Sequence, residues 1–292
     1  VPPRATASRI LGIVPTDDPW LQTRIAAWDA GATRYDDAPR HGIRHDDEWV
    51  AWRRLVAAIL GDPAHSDVEP LRVLDVGTGT GVLALLAAEL GHEVTAVDLS
   101  EGMLSQARRK AEEGDLVIDF RVADAQALPV GLVGFHAVMS RHLLWTLPDP
   151  GRAIRSWRMA ARPGGLIAVI DGTYPHRALP VRGAAALARR WLDWRAPHGD
   201  HEYPADAYRD LPLARQPDTR AVQGLMREAG LERIRIRALP EVDRVERAHL
   251  GAVASLADGW RRYLATGRNP VVTAGSTPSD GSPGLPERPP VG

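Results

Sequence analysis

The segment Val73-Leu74-Asp75-Val76-Gly77-Thr78-Gly79-Thr80-Gly81 decides how this 292-residue chain is read. Val73, Leu74 and Val76 form a short apolar run, the pattern of a strand buried on both faces. Three glycines at alternate positions then turn the chain into Val82 to Leu90, a mostly apolar helix that stops at Gly91. Glycine suits such a turn, because the backbone must take positive φ and let a ligand come close with no Cβ in the way. Glu93 to Val97 is the next strand, and Asp98 ends it, seventeen residues after Gly81. A carboxylate there can accept hydrogen bonds from both hydroxyls of a ribose.

The same rhythm continues outward. Glu101 to Glu113 reads as a helix, Leu116 to Val122 as the third strand and Phe135 to Met139 as the fourth. A helix opens at Asp149-Pro150 with Ile154, Trp157 and Ala161 on one stripe, and Pro163-Gly164-Gly165 turns the chain into a fifth strand, Leu166 to Ile170. A helix from Asp218 to Ala229, a strand from Leu231 to Arg237 and, after a long connection, a last strand from Arg261 to Thr266 complete the pattern. This predicts an α/β fold: a Rossmann-like, mainly parallel seven-stranded sheet with helices on both faces. The core domain is expected over 70–266, interrupted by a helical lid at 174–217. Ahead of it, 17–61 reads as a helical cap. One helix there begins at Asp18-Pro19 and carries Trp20, Leu21, Ile25 and Trp28. A second, capped around Asp46-Asp47, carries Trp49, Trp52, Val56 and Ile59 and stops at Gly61. Residues 1–16 are expected to be loosely ordered, and the Gly-, Pro- and Ser-rich stretch 267–292 to be a disordered tail.

Composition narrows the function classes. Hydrophobic residues make up 44% and charged residues 25%, enough for a real core, and the net charge of -1 gives no overall pull toward nucleic acid or anionic lipid. Lys110 is the only lysine among the basic residues. With no cysteine, disulfides, thiolate metal sites and cysteine nucleophiles are excluded. Val1 to Pro15 lacks the apolar run of a signal peptide and no segment approaches membrane-spanning length, so a cytoplasmic setting is the expectation.

Gly79-Thr80-Gly81-Val82-Leu83-Ala84 also satisfies the looser dinucleotide pattern G-x-G-x-x-A. Asp75 separates the two ligands. A carboxylate at that strand end would face a phosphate if NAD were bound, but suits a ligand bearing an ammonium. Asp124-Ala125 follows the third strand, where a carboxylate can accept from an adenine amino group. Asp75, Asp98, Asp124, Ser140 and Asp171 all fall at carboxyl ends of expected strands, the edge where open α/β sheets bind ligands.

These residues resemble the class I S-adenosylmethionine-dependent methyltransferases, within them the small-molecule group of quinone and natural-product enzymes, over roughly Trp28 to Thr266. The resemblance implies S-adenosyl-L-methionine as cofactor, with Gly77, Gly79 and Gly81 along its methionyl and ribose portion and Asp75 toward its amino group. It implies Asp98 on the ribose, Leu99 and Met103 beside the adenine, Asp124 on the adenine amine with Ala125 contributing backbone, and Ser140 closing the site. Trp28-Asp29 and Tyr35-Asp36 resemble the segment that covers the cofactor in that group; Tyr35 is expected against the sulfonium, where a ring face attracts a cation.

Methyl transfer from a sulfonium is an in-line displacement that mainly needs alignment and exclusion of water, with a base required only if the acceptor must lose a proton. In Ser140-Arg141-His142-Leu143-Leu144-Trp145, His142 is the candidate base, with a histidine hydrogen-bonded to backbone or cofactor as the alternative. Arg141 pairs with an acidic substrate, with the cofactor carboxylate, or with solvent. Trp145 stacks on a substrate ring or packs in the core. His41 and His45 are weaker substrate candidates, and Trp191 and Trp194 line the cavity or anchor the lid. The loop His198, Asp200, His201, Glu202 reads as solvated and no metal is expected. The expected partner is a small-molecule acceptor, oxygen, nitrogen or carbon, with no nucleic acid and no membrane: the base amino-methyltransferase signature of Asn or Asp followed by Pro-Pro and an aromatic is missing, and 5-methylcytosine chemistry needs a cysteine. A nicotinamide-dependent oxidoreductase and a non-methylating cofactor-binding protein of the same fold stand as alternatives.

Overall fold

The computed structural model describes residues 18–173, 211–213, 218–250 and 260–271. Helix α1 (Pro19–Gly31) starts where Asp18 accepts the Trp20 N–H at 2.9 Å, and runs through a 3-10 turn (Ala32–Asp37) toward α2 (Asp46–Leu60). The core then alternates β1 (Arg72–Val76), α3 (Val82–Glu89), β2 (Glu93–Asp98), α4 (Glu101–Glu113), β3 (Ile118–Val122), β4 (Phe135–Arg141), α5 (Pro150–Ala160) and β5 (Ala161–Thr173). It ends with α6 (Thr219–Glu228), β6 (Glu232–Ala238), α7 (Pro240–Ala248) and β7 (Arg261–Arg268).

The strands form one seven-stranded sheet in the order β3-β2-β1-β4-β5-β7-β6, parallel except for β7, which inserts antiparallel between β5 and β6. Alternate side chains feed two cores. Leu74, Val76, Val138, Ile167, Val169 and Ala265 pack with Trp157 of α5 and Met226 of α6. Val73, Ala137, Met139, Ile170 and Leu264 pack with Trp52 of α2, Leu86 of α3 and Val242 of α7. Two apolar faces on the same strands explain why β1, β4 and β5 read as near-continuous hydrophobic runs.

Asp149 and Asp218 cap α5 and α6, accepting from Arg152 N and Arg220 N, as an acid before the first turn should. Several boundaries differ from expectation. The start of α2 is His45, which makes no side-chain cap; the Asp46-Asp47 pair lies inside the first turn. Both β4 and β5 are longer than their apolar runs, because their ladder continues through Ser140↔Val169 and Arg141↔Ile170. α7 occupies what was read only as a long connection, although Pro240 in its first turn is a helix-start signal. β7 continues two residues beyond Thr266 into the stretch expected to be tail, and Asn269 after it donates its side-chain amide to the carbonyls of Arg158, Ala161 and Arg162. The remaining tail, residues 1–16, the lid apart from 211–213, and His198, Asp200, His201, Glu202, Trp191 and Trp194 lie outside the described residues.

One close approach ties the sheet to the ligand edge. A Cβ on Gly172 of β5 would stand 1.9 Å from Cζ2 of Trp260, so only glycine lets that indole lie across the strand. Gly172→Ala should destabilise the protein by about 1–3 kcal/mol through overpacking, read as a lower urea midpoint at unchanged slope; an unchanged midpoint would show that the Trp260 contact is dispensable.

Candidate active site

The carboxyl ends of β1, β2 and β4 surround a cavity of about 230 Å³. Gly77, Gly79, Asp98, Leu99, Met103, Ala123 and Ala125 line one side; Arg141, His142, Leu143, Trp145 and Thr146 line another; Trp28, Tyr35 and His41 cover it. A smaller recess continues from it, bordered by Asp75, Thr78, Thr80, Arg141 and His142.

The glycine turn is shaped by contacts on both sides. Gly77 and Gly79 have φ of +65° and +56°; a Cβ on Gly77 would press to 2.6 Å from Leu143, whereas one on Gly79 would meet only Tyr35 at 4.0 Å. Gly79 is therefore the point where backbone faces open cavity. Asp98 holds the turn, with Oδ2 accepting from Gly79 N at 2.8 Å and Oδ1 from Ser100 N at 2.9 Å. Asp75 accepts from Thr78 Oγ1 (2.7 Å) and Ala84 N (3.0 Å), both on Oδ2. Burial pushes Asp98 above the usual carboxylate range and Asp75 up to about 7, with the charge of Asp29 adding to the effect on Asp98 and that of Asp98 to the effect on Asp75.

The N-terminal segment is tied over this turn by two acids. Asp29 accepts from Ser100 Oγ at 2.5 Å and from Gly102 N at 2.9 Å, at the start of α4. Asp36 accepts from Thr80 Oγ1 at 2.6 Å and pairs with Lys110 Nζ at 2.5 Å. The segment thereby places Tyr35 at the cavity, its ring stacked on His41 with centroids 4.5 Å apart.

Of the expected cofactor residues, Asp75 borders the recess and not the main cavity, and Gly81, Asp124 and Ser140 line neither. Gly81 (φ +94°) is the N-cap of α3, and its missing Cβ makes room for Ala107 at 3.0 Å. Asp124 is buried beside the cavity, its Oδ1 accepting from Gln126 N at 2.8 Å, while Ala123 and Ala125 form the wall. The carbonyl of Ala125 is anchored by Trp157 Nε1 at 2.9 Å. Ser140 is sealed inside β4 because that strand continues past it. His45 lies away from the cavity, stacked on His249 at 3.7 Å.

Beyond β4 the chemistry changes sign. Arg141 donates to the carbonyls of His41 (2.9 Å) and Arg40 (2.6 Å) and lies over the Trp52 ring at 4.6 Å. His142 has φ of +55° and stacks on Trp260 at 5.4 Å. Burial holds its proton affinity well below the ordinary imidazole value, and the charges of Arg141 and Arg262 add to this. Behind it, Arg262 of β7 is buried and pairs with Asp243 and Glu246 of α7; Glu246 also accepts from Trp52 Nε1 at 3.0 Å. No sequence motif marked this network, because Arg262 meets its acids 16 and 19 residues away across a helix–strand packing, and Trp52 lies 194 residues from Glu246. Asp171, facing Arg262 and Arg141, is nonetheless raised to about 7 by burial. Among the described residues no cluster of His, Asp or Glu is placed to hold a metal, and no helix is long and apolar enough to cross a membrane.

A mainly parallel sheet with its seventh strand reversed, a glycine turn after β1 and carboxylates at the ends of β1 and β2 define the class: an adenosyl-binding methyltransferase domain. The profile of the methyltransferase domain family matches residues 74–169. A ubiquinone biosynthesis O-methyltransferase of Xanthomonas oryzae pv. oryzae (strain PXO99A) is 33% identical over 188 residues, covering 62% of this chain and 76% of the relative. Among solved structures, a Haemonchus contortus phosphoethanolamine N-methyltransferase superposes with a TM-score of 0.52 at 17% identity, over 87% of this chain and 59% of its own longer length. The [4+2]-cyclase SpnF superposes at 0.50 with 22% identity, over 86% of this chain and 93% of that one; both structures speak for the fold alone. The chain belongs to the class I S-adenosylmethionine-dependent methyltransferases of small-molecule type, with S-adenosylmethionine as methyl donor. The oxidoreductase alternative falls with that assignment.

Asp75 and Asp171 bind protons more tightly in the folded chain than at their ordinary value of 3.8. Their contribution to stability is complete below that value and is lost as pH rises through about 7. Asp75→Asn should therefore gain stability relative to the natural protein as pH rises from 4 past 7, measured by urea unfolding. A difference that stays constant across this range would count against the raised proton affinity.

Proposed function

We propose that this protein transfers the methyl group of S-adenosylmethionine to an oxygen of a small aromatic acceptor, with the cofactor held by the residues of the glycine turn and the ends of β1 to β3. The carrying observation is one cavity that joins Gly77, Gly79 and Asp98 to Arg141, His142 and Trp145. Its O-methyltransferase relative and its wall of Trp28, Tyr35 and Trp145 support an aromatic oxygen acceptor.

The residues present fit the cofactor. Asp98 accepts from the backbone N–H groups of Gly79, Ser100 and Leu99, and a carboxylate has one acceptor position more than these three, which a ribose hydroxyl can take. Both hydrogen bonds to Asp75 use Oδ2, which leaves Oδ1 for an ammonium in the recess; a cation there stabilises the ionised carboxylate that burial disfavours. Asp124, behind the wall of Ala123 and Ala125, has Oδ1 committed to Gln126 N and shapes the turn that carries this wall. Leu99, Met103 and Ala125 supply apolar wall, Gly81 supports the turn from behind, and Ser140 acts only as a packed strand residue. When bound, the cofactor supplies an electrophilic methyl on a positively charged sulfur. Tyr35 and Trp28 cover the cavity and exclude water, which an in-line displacement requires. His142 stays neutral at physiological pH and offers the acceptor a hydrogen bond, but burial, reinforced by the surrounding guanidiniums, makes it a weak proton acceptor.

S-adenosylhomocysteine should raise the melting temperature of the protein while NAD leaves it unchanged. Asp98→Ala should weaken that binding by about 10- to 100-fold, the loss of charged hydrogen bonds to the ribose, as read by calorimetry. Unchanged affinity would remove the ribose assignment. Binding near pH 6 should also release protons as Asp75 ionises, seen as a dependence of the heat on buffer identity that Asp75→Asn abolishes.

A further inference from the structure

The charges around His142 do not balance. Arg40, Arg141 and Arg262 converge there: the Arg40 carbonyl accepts from both other guanidiniums, at 2.6 Å from Arg141 and 3.5 Å from Arg262. Arg262 pairs with Asp243 and Glu246, and Arg40 Nε lies 3.7 Å from Glu246. Arg141 has two carbonyl partners and, among the described residues, no carboxylate within ion-pair distance. Of the acids that act on it from farther away, Asp36 is engaged with Lys110, Glu246 with Arg262 and Asp75 with the ammonium site proposed above; Asp171 faces Arg262 as well as Arg141, and burial, which raises it to about 7, limits the negative charge it offers. Its Nε and the Nε2 of His142 are buried without hydrogen bonds. A partly desolvated guanidinium with spare donors is a strong attractor for an oxyanion, since charge-assisted bonds strengthen as water is removed.

We propose that the acceptor enters as an anion, its charged oxygen seated against the Arg141 guanidinium and the His142 ring, and that this pair selects acidic hydroxyls or carboxylates over neutral acceptors. This rests on the methyl-transfer reading of the cavity. For an acceptor whose reacting oxygen is the ionised one, an oxygen lone pair forms the new O–CH3 bond as the S–CH3 bond breaks. The electron pair of that bond goes to sulfur, which becomes a neutral thioether, and the oxygen loses its negative charge. No proton moves, so the site needs no strong base, in keeping with a histidine that protonates poorly. Arg141 stabilises the ionised form of the acceptor and orients it; His142 contributes one hydrogen bond and Trp145 a ring face.

The test uses benzoate as a minimal aromatic anion and benzamide as its neutral isostere, titrated into protein saturated with S-adenosylhomocysteine. Benzoate should bind about tenfold or more tightly than benzamide. R141Q should lose that preference while its affinity for S-adenosylhomocysteine stays within about threefold, and R141K should keep part of it. Equal binding of the two probes, or no benzoate binding at tens of millimolar, overturns the proposal while leaving methyl transfer intact. So does an R141Q protein that keeps benzoate but loses S-adenosylhomocysteine, which would assign Arg141 to the cofactor's own carboxylate. Failure of the natural protein to bind S-adenosylhomocysteine overturns both readings. Should R141Q not fold, the comparison of the two probes in the natural protein decides alone.

Discussion

Asp98 accepts the backbone N–H of Gly79 at 2.8 Å, and the architecture of the site follows from that contact. A carboxylate on the end of β2 reaches across to the turn after β1 and ties that turn to the neighbouring strand. Parallel pairing sets the reach, with Asp75↔Ala96 and Val76↔Val97 bringing both strands to the same edge. Burial makes the arrangement electrostatically expensive, which is why Asp98 and Asp75 both hold their protons more tightly than carboxyls in water. In the proposed complex, the positive charge of the ligand offsets part of that cost.

The two ends of the cavity are built to opposite sign. At the β1–β2 end the charged groups are the carboxylates of Asp75 and Asp98, which in the proposed complex face an ammonium and a ribose. At the β4 end they are guanidiniums and a neutral imidazole, backed by the Arg262, Asp243 and Glu246 network beneath Trp52. Such a buried network is weak evidence of stability, because desolvation offsets much of its Coulomb energy. Its clearer role is positional: Arg262 and Glu246 both reach Arg40, whose carbonyl holds Arg141 at the wall.

The N-terminal segment belongs to the site as much as the sheet does. Asp29 and Asp36 reach the first turn of α4 and the glycine turn from outside the core, and the second of them takes the chain's one lysine as partner. The Lys110–Asp36 pair is partly exposed and adds little energy by itself. Together with Thr80 and Ser100, however, the two acids determine that Tyr35 and Trp28 lie over the cavity instead of against solvent.

Local pattern sufficed for what depends on nearest neighbours in the chain. The apolar run before Gly77, the glycine spacing, the acid at the end of the second strand and the proline-marked helix starts are short-range signals. They carried the fold class, the strand sequence and most of the sheet edge that lines the cavity. Strand ends were misjudged where pairing to a neighbour, not hydrophobicity, extends the ladder; that is why Ser140 lies within β4. The roles of Gly81 and Arg141 were equally out of reach, since a glycine that clears Ala107 and a guanidinium that holds two carbonyls a hundred residues upstream differ in no local feature from their alternatives. Position in the chain placed the acids at one edge; only packing in three dimensions decided the charge each faces, because burial and through-space Coulomb interaction depend on neighbours the sequence does not put side by side.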